Sequence, residues 1–200
     1  MRDDERQKLI NWKNEYISIG ITQGGLPKTA MQIPWESTGQ AYNMCTPNVH
    51  IAPEDLEDEE IMNMLKSYKV VGCYIWVPLT DYSFISNFEE LWDLYIANGD
   101  KIRDLIFMEN LSQCRMLFLQ NAKLENLDII LKLNKKPGAP FDRLKCVALM
   151  NCEVNDLTCF ENEKHDFFEF LVWEAGENKS RKRWNVVNSY IRKYRKIKID

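Results

Sequence analysis

The chain is poor in histidine and has no long apolar run, and both absences exclude function classes. Only two histidines, His50 and His165, occur in 200 residues, each in a stretch whose composition reads as loop. A nucleophilic triad, a zinc centre or a paired-carboxylate site needs donors at spacings that bring them together, and no such spacing is present. Gly24-Gly25-Leu26-Pro27-Lys28-Thr29 lacks the glycine spacing of a phosphate loop. Cys146, Cys152 and Cys159 lie six and seven residues apart, which fits no metal motif. The sequence therefore predicts no catalysis, no metal and no cofactor.

The missing apolar run has its own consequence. The opening Met1-Arg2-Asp3-Asp4-Glu5-Arg6 is followed by no hydrophobic segment, so neither a secretory signal nor a transmembrane span is expected. An excess of basic residues is also missing. Lys and Arg total 26 against 30 Asp and Glu, a net charge of −4, which argues against a generic nucleic-acid binder. Six cysteines are present. Cys73, Cys114 and Cys152 fall in the apolar slots described next, where a free thiol behaves as a small hydrophobe. Together these features point to a reducing cytoplasm.

What the chain does have is recurrence. Leu91-Trp92-Asp93-Leu94-Tyr95-Ile96-Ala97-Asn98-Gly99 aligns with Cys114-Arg115-Met116-Leu117-Phe118-Leu119-Gln120-Asn121-Ala122 and with Leu144-Lys145-Cys146-Val147-Ala148-Leu149-Met150-Asn151-Cys152. Each reads apolar-x-x-apolar-x-apolar-x-Asn-small. Tyr68, Val71 and Cys73 fill the same slots upstream, and Phe167, Phe170 and Val172 fill them downstream. Unit starts at 68, 91, 114, 144 and 167 give steps of 23, 23, 30 and 23 residues. A second column, Leu65, Phe88, Leu111 and Phe141, precedes four of the starts by three residues. A third, Met62, Ile85 and Met108, precedes three of them by six.

Within each unit, alternating apolar residues describe a strand with one buried face. A unit this short cannot bury that face alone, so neighbours must stack. The pattern resembles the leucine-rich repeat, with its L-x-x-L-x-L-x-x-N/C-x-L core, over roughly residues 60–177. The family's inward slot holds Trp76, Gly99, Ala122, Cys152 and Ala175 here, while Asn98, Asn121 and Asn151 stand one position earlier. The resemblance implies an α/β solenoid of about five parallel strands, with segments 71–73, 94–96, 117–119, 147–149 and 170–172 adjacent in that order.

The flanks do not repeat, so three regions are expected: a helix and loop-rich cap over 1–60, the solenoid over 61–177, and a basic cap over 178–200. Residues 1–17 read as a helix whose face carries Leu9, Trp12, Tyr16 and Ile17. Residues 20–50, rich in Gly and Pro, read as packed loop around Trp35, Tyr42 and Met44. Pro53-Glu54-Asp55 starts a helix through Tyr68. The longer step contains an exposed turn over 131–140. From Lys179 to Lys198 stand nine basic and no acidic residues, with Trp184, Val187, Ile191 and Tyr194 at helical spacing. That segment reads as a cap, or as a nucleic-acid-binding helix.

The positions between the buried ones define the concave face. They are Val70, Gly72 and Tyr74 in the first unit, and Asp93, Tyr95 and Ala97 in the second. The third gives Met116, Phe118 and Gln120, and the fourth Cys146, Ala148 and Met150. Glu169, Leu171 and Trp173 complete it. Only two of the fifteen are charged, whereas a solvated face should alternate to polar. Such a face is covered by the chain itself or by a partner. Tyr74, Asp93, Tyr95, Met116, Phe118, Gln120, Met150 and Trp173 are therefore the expected contacts for a protein partner, as for an adaptor or a bacterial inhibitor of a cognate toxin. Tyr95 and Phe118 should stack. If the N-terminal third or the insertion folds over this face, both are buried within the chain, their substitution lowers its stability, and the concave surface is not the binding site.

Overall fold

A computed structural model describes residues 1–13, 15–23, 47–134, 144, 146–156 and 169–173. Its main sheet is formed by β1 (Tyr16–Ile21), β2 (Asn48–Ile51), β3 (Lys69–Ile75), β4 (Asp93–Ile96), β5 (Met116–Gln120), β7 (Cys146–Met150) and β9 (Glu169–Trp173). The strand order is β2-β1-β3-β4-β5-β7-β9, every pairing is parallel, and the sheet is open at β2 and β9. The five expected strands lie side by side in the expected order.

Period-two sequence explains the strands. One row of side chains runs Val49, Ile19, Cys73, Leu94, Leu117 and Val147 across neighbouring strands. The next runs Ile51, Ile21, Ile75, Ile96, Leu119 and Leu149. All twelve are buried in one core. Parallel strands need a return segment, and the returns here repeat their hydrogen bonds as well as their side chains. The amide of Ile85 donates to Tyr82 O and that of Met108 to Leu105 O. Phe88 donates to Ile85 O, and Leu111 to Met108 O. Tyr68, Leu91 and Cys114 donate to Leu65, Phe88 and Leu111. These tight turns carry the columns that begin at Met62 and Leu65 into the core.

Two further series recur. Asp58, Asp81, Asp104 and Asn126 each accept a hydrogen bond from the backbone N–H two residues on, which caps a helical turn. At the strand ends, Asn98 Nδ2 donates to Trp76 O (2.7 Å), Asn121 Nδ2 to Ala97 O (3.5 Å), and Asn151 Nδ2 to Asn121 Oδ1 (2.8 Å). Asn121 and Asn151 adopt φ of 64° and 51°, a left-handed corner that asparagine tolerates. Beyond the corner, β6 (Lys123–Leu124) and β8 (Glu153–Val154) form a second short parallel pair.

The N-terminal third departs from expectation. Only Asp3–Asn11 is helical (α1), and Tyr16 and Ile17 belong to β1, where Ile17, Ile19 and Ile21 alternate with Ser18 and Gly20. Part of the expected loop is strand β2, which contains His50. The expected helix over 53–68 divides into a 3-10 turn, Pro53–Glu57, and α2, Glu59–Lys66, because Asp58 caps a new start between them. The sheet therefore crosses the boundary expected at residue 60. Val70 packs in the core and not on the opposite face, because the β1–β3 register steps from Ile17↔Val70 to Ser18↔Gly72 and skips Val71. The expected exposed turn at 131–140 opens as helix: α3 (Asp128–Asn134) buries Leu131 and Leu133.

Helix α1 closes the β2 edge. Glu5 accepts the His50 N–H (3.0 Å) and Lys8 donates to Asn48 O, so helix side chains stand where another strand's backbone would be. Tyr68 OH donates to Leu9 O (3.0 Å), and Leu9 is fully buried. Among the described residues no helix is long and apolar enough to cross a membrane. Trp35, Tyr42, Met44, His165, the 24–29 segment and the basic stretch 179–198 lie outside the described residues.

Candidate functional site on the second face of the sheet

The strand register assembles the expected face. One row runs His50, Gly20, Tyr74, Tyr95, Phe118 and Ala148, and the row beside it runs Asn48, Ser18, Gly72, Asp93 and Met116. Parallel pairing in constant register puts like positions about 4.8 Å apart, which is ring-stacking distance. The Tyr95 and Phe118 rings lie 4.5 Å apart at 17°, and Trp76 meets Tyr95 at 4.5 Å and 41°. Tyr74 leans back over its own strand. A Cβ on Gly72 would come within 2.6 Å of Ser18 Oγ and 2.9 Å of the Tyr74 ring, so this position must be glycine for the ring to lie flat.

This cluster is interior. Tyr74, Tyr95 and Phe118 are 5, 7 and 8% exposed, and with Ala148 they form a second apolar cluster against which Trp76, Ala97 and Met150 pack. Of the residues expected to contact a partner, these three aromatics are part of the chain's own packing. Asp93 is 8% exposed. Burial pushes its carboxyl up to about 6, against the opposing pull of Arg115. Met116, Gln120 and Met150 are half-buried. Trp173 ends β9 opposite Met150 in the register.

Two contributors were not expected from the sequence. Ser18 comes from β1, of which only Tyr16 and Ile17 fall in the helix expected over residues 1–17. Trp76 lies two residues beyond Tyr74 in the same strand phase, a signal that assigning it to the small inward slot obscured. Its indole N–H is buried and meets no acceptor among the described residues. The half-buried Trp76, Ala97, Gln120 and Met150 thus form a strip along the carboxyl ends of β3, β4, β5 and β7.

Burial holds the three described thiols, Cys73, Cys114 and Cys152, in their neutral form. Burial raises Cys114 to about 12, helped by the negative charge of Asp93, and raises Cys152 to about 11 against backbone hydrogen bonds. Cys73 is raised further by burial alone. Tyr95 is held neutral in the same way, at about 12. His50 is lowered by burial, with Glu5 opposing. Among the described residues no three His, Cys, Asp or Glu side chains gather as metal ligands would. Compared with known proteins, the chain matches no family model, no curated protein and no solved structure.

Proposed function

We propose that the chain is a leucine-rich-repeat-like solenoid without catalysis of its own, and that it binds a protein partner. Support for the solenoid comes from the joint recurrence of strand, corner asparagine, capped turn and buried columns, at steps of 23 residues with one of 30. Contact with the partner is assigned to the strip Trp76, Ala97, Gln120 and Met150. The observation that carries this is a row of uncharged, half-exposed side chains at the carboxyl ends of four neighbouring strands, packed against stacked rings. Interfaces enrich aromatic residues and Met in this way, and a preorganised surface loses little conformational freedom on binding. Tyr74, Tyr95 and Phe118 support the strip from beneath.

The test is a differential capture from native lysate with the tagged full chain. A protein retained by the wild type should be lost with the double substitution Gln120→Arg and Met150→Glu. It should remain bound by Ile106→Glu, a change at an exposed residue of the return segments. Equal retention by the strip variant would exclude this surface.

A further inference from the structure

The corner after β4 is Asn98–Gly99, a pair whose chemistry differs from that of the other corners, Asn121–Ala122 and Asn151–Cys152. When glycine follows asparagine, no Cβ hinders attack by the next backbone nitrogen on the side-chain amide. The Gly99 nitrogen, on losing its proton, bonds to Asn98 Cγ. The Cγ–Nδ2 bond breaks, and Nδ2 leaves as ammonia, taking up a proton. One water then opens the five-membered imide at either carbonyl, giving aspartate or an isoaspartyl linkage. The sum is one amide and one water converted to one carboxylic acid and one ammonia.

We propose that Asn98–Gly99 is a fold-gated deamidation site, unreactive in the native chain and converted irreversibly in any chain that has lost this corner. Both reacting groups are held in the folded protein. The Gly99 N–H donates to Gln120 O at 2.8 Å, which retains its proton and fixes the nitrogen. Asn98 Nδ2 donates to Trp76 O at 2.7 Å, which fixes the amide that would have to turn. The native route must therefore pass through local opening, whose population sets the rate.

The fold also favours the reactive pair. A Cβ at position 99 would meet Leu119 Cδ1 at 2.8 Å, Gln120 O at 3.0 Å and Ile102 Cδ1 at 3.2 Å, so a larger residue would have to displace the Leu119 side chain and press on the Gln120 carbonyl. The Trp76 carbonyl needs a donor, so position 98 cannot be aspartate without facing a carboxylate against a carbonyl. An isoaspartyl link would add a backbone atom where β4 hands its register to the next strand. The product therefore cannot rebuild the corner, and the change marks the molecule permanently.

The experiment uses the purified full chain in alkaline buffer, folded and in concentrated urea. Samples are taken over time and digested with trypsin. The fragment spanning 70–101 is sequenced by mass spectrometry, with Asn87 of the same fragment as internal reference. Acid at position 98 should accumulate in urea and at least about tenfold more slowly in the folded chain. Asn98→Asp, made genetically, should melt below the wild type. A folded-state rate less than tenfold below the urea rate overturns the gating, and an Asn98→Asp chain with the wild-type melting temperature overturns the claim that the aspartate product cannot rebuild the corner.

Discussion

Phe118 and Tyr95 stack ring on ring on the face opposite the main core, almost without solvent contact. Emptying such a site removes transfer energy and leaves a cavity. Phe118→Ala is therefore expected to destabilise the chain by about 3–5 kcal/mol, read as a lower urea midpoint. A midpoint unchanged from wild type would contradict the burial. Asp93, one row away, gives a pH signature. Its folded pKa of about 6 lies above its ordinary value of 3.8, so the folded chain binds this proton more tightly. That contribution favours folding below pH 3.8 and is lost as the pH rises through about 6. Asp93→Asn should thus stabilise the chain by about 2–3 kcal/mol above neutrality and have little effect in acid, checked by thermal melts across pH. A stabilisation independent of pH would contradict the assignment. Ring stacking followed from the 23-residue spacing. Burial did not, because a parallel strand covered on both faces leaves no polar alternation to show which side meets water. The scarcity of charge on that face was the legible sign of cover.

At the scale of elements, the strands β3, β4, β5 and β7 were readable because period two recurred within a longer period. β1 was not, because Leu9, Trp12, Tyr16 and Ile17 also fit a helix face and obscured the alternation of Ile17, Ile19 and Ile21. β2 spans four residues after a Gly- and Pro-rich stretch. The caps Asp58, Asp81 and Asp104 recur at the same 23-residue interval, a polar column that attention to apolar slots overlooked. Asp104→Ala should cost about 1 kcal/mol, because the Ile106 N–H loses its acceptor. Gly72→Ala should cost about 1–3 kcal/mol by forcing Ser18 and the Tyr74 ring apart. Both are measurable by denaturant titration, and a Gly72→Ala chain as stable as wild type would show that the ring moves freely.

Across the whole molecule, apolar clusters lie on both faces of one sheet, and its β2 edge is closed by side chains of α1. Removing Glu5 tests that closure. Glu5→Ala should speed hydrogen exchange of the β2 amides, His50 foremost, by about tenfold while leaving β4 unchanged. Unchanged β2 exchange would mean that α1 does not seal the edge. The strand order has a temporal consequence. β1 lies inside the sheet, between β2 and β3, yet it ends at Ile21 and β3 begins at Lys69, 48 residues later. On a ribosome adding about 5–20 residues each second, β1 waits about 2–10 s for its inner neighbour. Among the described residues, β2 is the sheet partner of β1 made during that interval. β3, β4 and β5 close over much shorter loops. The β1–β3 pairing, which closes the longest of these loops, is therefore expected to be the slowest of them to form.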